Sequence, residues 1–271
     1  MKAPREAEGP TGELAGTGTA GLVAAPGAIW LCGDVHGRFE HLIDAVLQPP
    51  PGQRPAAIVL LGDVQAARPL ELELAAILPH TEVWFIHGNH DTDSDADHDH
   101  LFGSALAHRN LHGRVVEVAG VRIAGLGGVF RGQVWSPPNP WQFETARAYT
   151  AWAGRGNRWR GGLPRRHRST IFPAEVQALG RQRAEVLVTH EAPSAHPHGF
   201  AVIDELARGL GVGRAFHGHQ HDRRDYRAEW PRLGFEAHGV GLRGITALDG
   251  RVIRAGDLDR PWATDSSHDP G

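Results

Sequence analysis

Five short, continuously apolar runs set the architecture of this chain: "AIWLC" (28–32), "AIVLL" (57–61), "VWFI" (83–86), "EVLVT" (185–189) and "RAF" (214–216). Runs of this length, rich in β-branched residues, are strands buried on both faces. Between several of them the period changes. Phe39, Leu42, Ile43, Val46 and Leu47 fall on one face of a helix. A second helical pattern opens near Pro69, buries Leu70, Leu74, Ile77 and Leu78, and stops at Pro79. A third takes Pro173 early and ends at Gly180, and a fourth sets Val202, Ile203, Leu206 and Leu210 ahead of Gly211. Strands that alternate with helices predict an α/β fold. The segments 115–126 and 244–256 instead place Ala-Gly or Asp-Gly between short β-prone runs, the pattern of hairpins. The expected fold is therefore mixed, with a second sheet contributed by the middle and the C-terminus.

One large domain accommodates these elements, since 271 residues at 41% hydrophobic content support a single core. The reading assigns residues 28–262 to that domain, 1–27 to a flexible tail and 263–271 to a disordered end. Residues 128–170, crowded with Pro, Gly, Trp and Arg, show no period and read as an irregular functional loop or lid. A formal net charge of -3 calls for neither nucleic acid nor an anionic membrane as a partner. No apolar run approaches the roughly 20 residues a bilayer requires. A single cysteine, Cys32, suits a reducing compartment, and the expected location is the cytoplasm. Lys2 is the sole lysine among 28 basic residues, an arginine bias read as genome composition ahead of selection for phosphate binding.

Each buried run ends in residue types that bind metals. The first delivers Asp34 and His36, the second Asp63, the third Asn89, His90 and Asp91, the fourth His190, and the fifth His219 and His221. In α/β sheets the crevice beyond the carboxyl ends of the strands is where ligands bind, so these residues are expected to converge. Two divalent ions need a bridging carboxylate and several oxygen and nitrogen donors, and such a pair clamps both oxygens of an in-line displacement at phosphorus. Asp63 is the natural bridge. Asp34, His36 and His221 complete a first ion, and Asn89, His190 and His219 a second. Imidazole and carboxylate without thiolate suit Mn above all, with Fe, Zn, Co or Ni as alternatives.

The series Asp34-x-His36, Gly62-Asp63, Gly88-Asn89-His90-Asp91, His190 and Gly218-His219-x-His221 resembles the signature of the calcineurin-like metallophosphoesterase superfamily over about residues 28–222. The resemblance implies a four-layer α/β/β/α sandwich of two mixed β-sheets flanked by helices. It implies hydrolysis of a phosphomonoester or phosphodiester by a metal-bridging hydroxide, His90 as the proton donor to the leaving group, and Asp91 as the residue that orients the His90 ring.

Two departures bear on substrate. Phosphoprotein phosphatases and diadenosine tetraphosphate hydrolases continue the second motif as Gly-Asp-x-x-Asp-Arg-Gly, with the arginine on phosphate, whereas this chain reads "GDVQAARP". Another arginine must serve, and Arg131 in "GLGGVFRG" is the first candidate, with Arg38 behind it. The same "GLGGVFRG" and the segment after it are loosely similar to RNA lariat debranching enzymes, in which a cysteine replaces the first aspartate. This chain keeps Asp34. Arg155, Arg158, Arg160, Arg165, Arg166 and Arg168 are interleaved with Trp152 and Trp159, a pattern that serves either nucleic-acid binding or a solvated lid. The acidic "DTDSDADHDH" (91–100) reads as a solvated loop or the start of a helix. The expected partner is thus a small phosphorylated molecule or nucleotide, with nucleic acid as the alternative, or no substrate at all if the fold serves as a scaffold.

Overall fold

The computed structural model describes residues 28–259, so the expectations for residues 1–27 and 263–271 fall outside the described residues. Two five-stranded mixed sheets pack face to face between helices. The first has the order β10-β9-β1-β2-β3, with β1 (Ile29–Cys32), β2 (Ala57–Leu61) and β3 (Glu82–Ile86) parallel, and with β9 (Ile245–Ala247) and β10 (Val252–Arg254) antiparallel to their neighbours. The second has the order β4-β5-β6-β7-β8: the hairpin of β4 (Arg114–Val118) and β5 (Val121–Leu126), followed by the parallel strands β6 (Val186–Thr189), β7 (Arg214–His217) and β8 (Glu236–Gly239).

Alternation along the strands builds three cores. Ile29, Leu31, Val59, Leu61 and Ile86 meet Ile123, Val186, Val188 and Phe216 between the sheets. The opposite faces of β1 to β3, through Trp30, Cys32, Ile58, Leu60 and Phe85, pack against α1 (Glu40–Leu47) and against Leu70, Leu74 and Ile77. Leu187 and Ala215 face α5 (Pro173–Gly180) and α6 (Ala201–Leu210) through Val176, Leu179, Ile203 and Leu206. Three cores between four layers are the expected α/β/β/α sandwich. Phe216 is fully buried at its centre, and cutting it to alanine costs about 3–5 kcal/mol.

The structure differs from the reading in detail. The C-terminal hairpin extends the first sheet, because β9 pairs with β1 and not with the second sheet. Chain order alone does not reveal this, since local alternation is blind to which sheet a strand joins. The second helix, α2, spans only Leu70–Glu73; Leu74 leaves helical geometry and tighter turns carry the chain to His80, while Leu74 and Ile77 still fill the core. The helix α3 (Asp95–Phe102) occupies the acidic stretch, with Ser94 accepting the amide of Asp97 as its N-cap. The middle segment contains α4 (Ala146–Trp152), and α7 (Trp230–Leu233) precedes β8. Helix α6 ends where expected, at Gly211 in the left-handed conformation with φ of 74°.

Candidate metal centre

The parallel strands β1, β2, β3, β6 and β7 end on the same side, and the turns that leave them carry every ligand expected from the sequence. Asp34 follows β1, Asp63 follows β2, Asn89 follows β3, His190 follows β6, and His219 and His221 follow β7. Among the described residues, two groups place their ligand atoms within 4.8 Å of one another: Asp34, His36, Asp63 and His221, and Asp63, His190 and His219. Asp63 belongs to both. The Asn89 amide oxygen lies 3.3 Å from His190 Nε2, which sets it beside the second group. Convergence this tight leaves no room for side chains on the neighbouring backbone: a Cβ on Gly88 would lie 2.6 Å from the His190 ring. His36, Asp63, His219 and His221 all adopt positive φ, between 44° and 68°. Left-handed backbone at a non-glycine residue costs on the order of 1–3 kcal/mol, and four cases in one cluster mark a functional constraint.

The hydrogen-bond pattern fits a cation. His36 Nδ1 faces Gln65 Oε1 at 2.5 Å, and His190 Nδ1 faces the Leu61 carbonyl at 2.7 Å. Both Nδ1 atoms must carry the proton, because their partners only accept. Each Nε2 of a neutral ring then presents a lone pair. His36 Nε2 meets His221 Nε2 at 3.1 Å, and His190 Nε2 meets Asp63 Oδ1 at 3.4 Å together with the Asn89 oxygen. Acceptors aimed at acceptors need either a proton or a metal between them. Burial disfavours charge on His190, yet with no metal between them Asp63 outweighs it and lifts the imidazole to about 10, so that a proton takes the place a metal would fill. Burial likewise opposes ionisation of Asp63, but His190 and the His90 amide hold its carboxyl well below the usual range. The donor set of carboxylate, amide and imidazole therefore fits divalent transition metals.

Comparison with known proteins agrees with this geometry. Residues 27–223 match the profile of the calcineurin-like phosphoesterases. The chain belongs to that family. An uncharacterized protein of Haemophilus influenzae is 42% identical over 225 residues, which cover 83% of this chain and 96% of that one. The crystal structure of TT1561 from Thermus thermophilus superposes with a TM-score of 0.51 over 82% of this chain and 94% of that one, at 16% identity, a likeness of fold alone.

Around the ligand cluster of this calcineurin-like phosphoesterase, one expected partnership is rearranged. The Asp91 carboxylate turns inward, accepts the amides of Val64, Gln65 and Gly88, and makes no contact with the His90 ring. Burial and the nearby Asp63 charge push its carboxyl up to about 7. Asp93 instead meets His90 Nδ1 at 2.5 Å. The cause is local: residues His90–Thr92 form a 3-10 turn, which brings a residue three positions on to the same face. Burial lowers the pKa of His90, and the Asp93 bond and Asp63 more than compensate, so its net shift is upward. Arg131 is half-buried and donates to Ser169 Oγ at 3.1 Å. Arg38 is exposed in the turn after Gly37. Gln65, Asp93, Ser169 and the buried Glu191, whose Oε1 accepts the Phe130 amide, escaped the sequence reading. The 3-10 spacing marks Asp93, and adjacency to Asp63 and His190 marks Gln65 and Glu191; nothing local marks Ser169.

Part of the arginine segment pairs with the acidic helix. Arg160 makes two bonds to Asp99 at 2.6 and 2.8 Å, Arg165 bonds Asp95 and the Asp93 carbonyl, and Trp159 donates to Asp95. Arg168 donates to His98. Among the described residues, no helix is long and apolar enough to cross a membrane.

Proposed function

We propose that this protein holds two divalent ions on one shared carboxylate and hydrolyses a phosphoric ester of a small molecule or nucleotide. The observation that carries the reading is the membership of Asp63 in both ligand groups. Asp34, His36 and His221 would complete one ion, and Asn89, His190 and His219 the other, with Mn(II) as the first choice of metal. When bound, such a pair supplies Lewis acidity, which lowers the pKa of a water and offsets charge growing on phosphoryl oxygens.

The other steps belong to the chain. Gln65 and the Leu61 carbonyl hold the His36 and His190 rings in one tautomer and one orientation. His90, with its Nδ1 proton held on Asp93, keeps a proton at Nε2 for the departing alkoxide. Its side chain is 45% exposed, so a substrate can reach it. Cys32 is buried and unpaired, in keeping with a reducing compartment such as the cytoplasm.

The test is hydrolysis of a chromogenic phosphomonoester and its diester counterpart by metal-stripped protein reloaded with Mn(II), beside Asp63→Asn. The reading expects turnover by the wild type and a dead variant. Equal rates in the two proteins overturn it.

A further inference from the structure

Most arginines near the metal centre are already paired: Arg160 with Asp99, Arg165 with Asp95, and Arg168 with His98. Arg131 and Arg166 have no such partner. Among the described residues neither has a carboxylate within ion-pair distance. Arg131 Nε is buried with no hydrogen-bond partner, and its guanidinium makes a single bond, through one nitrogen, to Ser169 Oγ. Glu191, a buried carboxylate near it, is turned to the Phe130 amide instead. Burial and then the Arg166 charge disfavour the cation of Arg131, while Asp93, Glu191 and Asp63 favour it from beyond ion-pair distance. A half-buried guanidinium whose buried Nε has no partner is costly unless something anionic completes it.

The pair is tied to the reacting end of the site through Ser169. That hydroxyl touches Thr92 Oγ1 at 2.8 Å, the Asn89 carbonyl at 3.5 Å and the Arg166 carbonyl at 3.3 Å. Asn89 and Thr92 flank His90, so one hydroxyl separates Arg131 from the loop that carries a candidate metal ligand and the candidate proton donor. Guanidinium groups match phosphate oxygens in planar, two-bond geometry. A phosphate monoester carries about -1.5 to -2 charges at neutral pH, as phosphorylated side chains do, whereas a diester carries one.

We propose that Arg131 and Arg166 form a clamp for a dianionic phosphoryl group beside His90, which makes a phosphomonoester the preferred substrate over a diester. The inference rests on the phosphoesterase reading for its chemistry, but the clamp is also measurable by binding alone.

Two assays separate the claims. The first compares kcat/KM for 4-nitrophenyl phosphate and bis(4-nitrophenyl) phosphate in Mn-loaded wild type, Arg131→Gln and Arg166→Gln. The second titrates inorganic phosphate into the same three proteins stripped of metal. Arg166 is exposed, so its variant reports even if Arg131→Gln folds poorly. The clamp predicts that the monoester-to-diester ratio of kcat/KM falls about tenfold, and that phosphate binding weakens by about the same factor, the size of one charged hydrogen bond. Equal loss on both esters, or phosphate binding unchanged in Arg166→Gln, overturns it. A wild type that turns over neither ester but binds phosphate in an arginine-dependent way sinks the phosphoesterase reading and supports the clamp.

Discussion

The two sides of this site are held by different forces. On the metal side, Asp34, Asp63 and His190 are at most 1% exposed and sit at the ends of parallel strands whose flanks are packed on both faces. On the loop side, Arg160, Arg165, Asp95 and Asp99 are each about a third or more exposed, and they join segments 61 and 70 residues apart through ion pairs. Buried geometry is set by packing and resists salt. Exposed pairs contribute little to stability and are screened by salt. A rigid ligand cluster under a loosely strapped loop is an arrangement suited to binding metals tightly while substrate enters and leaves.

The largest effect should come from the residue common to both ligand groups. Asp63→Asn is expected to lose at least about 10³-fold in activity, beyond the ~10–100-fold that removing an outer partner costs, and to lose metal as measured by elemental analysis. Full metal content in that variant would break the distinction between a ligand cluster and its surroundings. His90→Asn should lower kcat by about 10²–10⁴-fold while metal content stays at the wild-type level. Asp93→Asn should move the alkaline limb of kcat to lower pH. As the proposed proton donor His90 would work protonated, and Asp93 raises its pKa, so without Asp93 the proton is lost sooner as pH rises. Asp91→Asn, by contrast, should act through stability and the Val64–Gln65 turn.

The loop side should respond to conditions that leave the metal side intact. In 1 M salt, or in Asp99→Asn, amide exchange across residues 154–165 should speed up while exchange in β1 to β3 stays slow. Uniform behaviour of both regions would remove the contrast drawn here. The smallest effect concerns His167, which is buried against Tyr149 Oη at 2.8 Å and Thr170 Oγ1 at 3.1 Å. Burial, and then Arg131 and Arg166, lower its pKa from 6.5 to about 4. A lowered imidazole pKa means the unfolded chain takes up a proton that the folded one refuses. Stability should therefore fall as pH drops from about 6.5 to about 4, and fall less in His167→Gln, as read from Tm.

What the sequence revealed follows the same division. The ligand types were readable because each lies within four residues of a strand end, and a strand end is visible as a break in an apolar run. The four layers were not derivable from periodicity: β8, with its "EAHG", has no apolar signature, and only pairing with β7 makes it a strand. Asp91 was the natural neighbour for His90 by adjacency, but a 3-10 turn faces residues three apart, which selects Asp93. The Arg160–Asp99 and Arg165–Asp95 pairs were invisible because each half looked like an ordinary solvated charge run. The Arg131–Ser169 contact spans 38 residues with no local signal at either end.

The measurement that tests the shared-carboxylate centre most directly is electron paramagnetic resonance of metal-stripped protein titrated with Mn(II), wild type beside Asp63→Asn. The account predicts a spectrum of exchange-coupled Mn(II) once two ions are bound per wild-type chain, and no coupled pair in the variant. Wild-type protein that saturates with one ion, or that binds two and shows only the signal of isolated Mn(II), would contradict it.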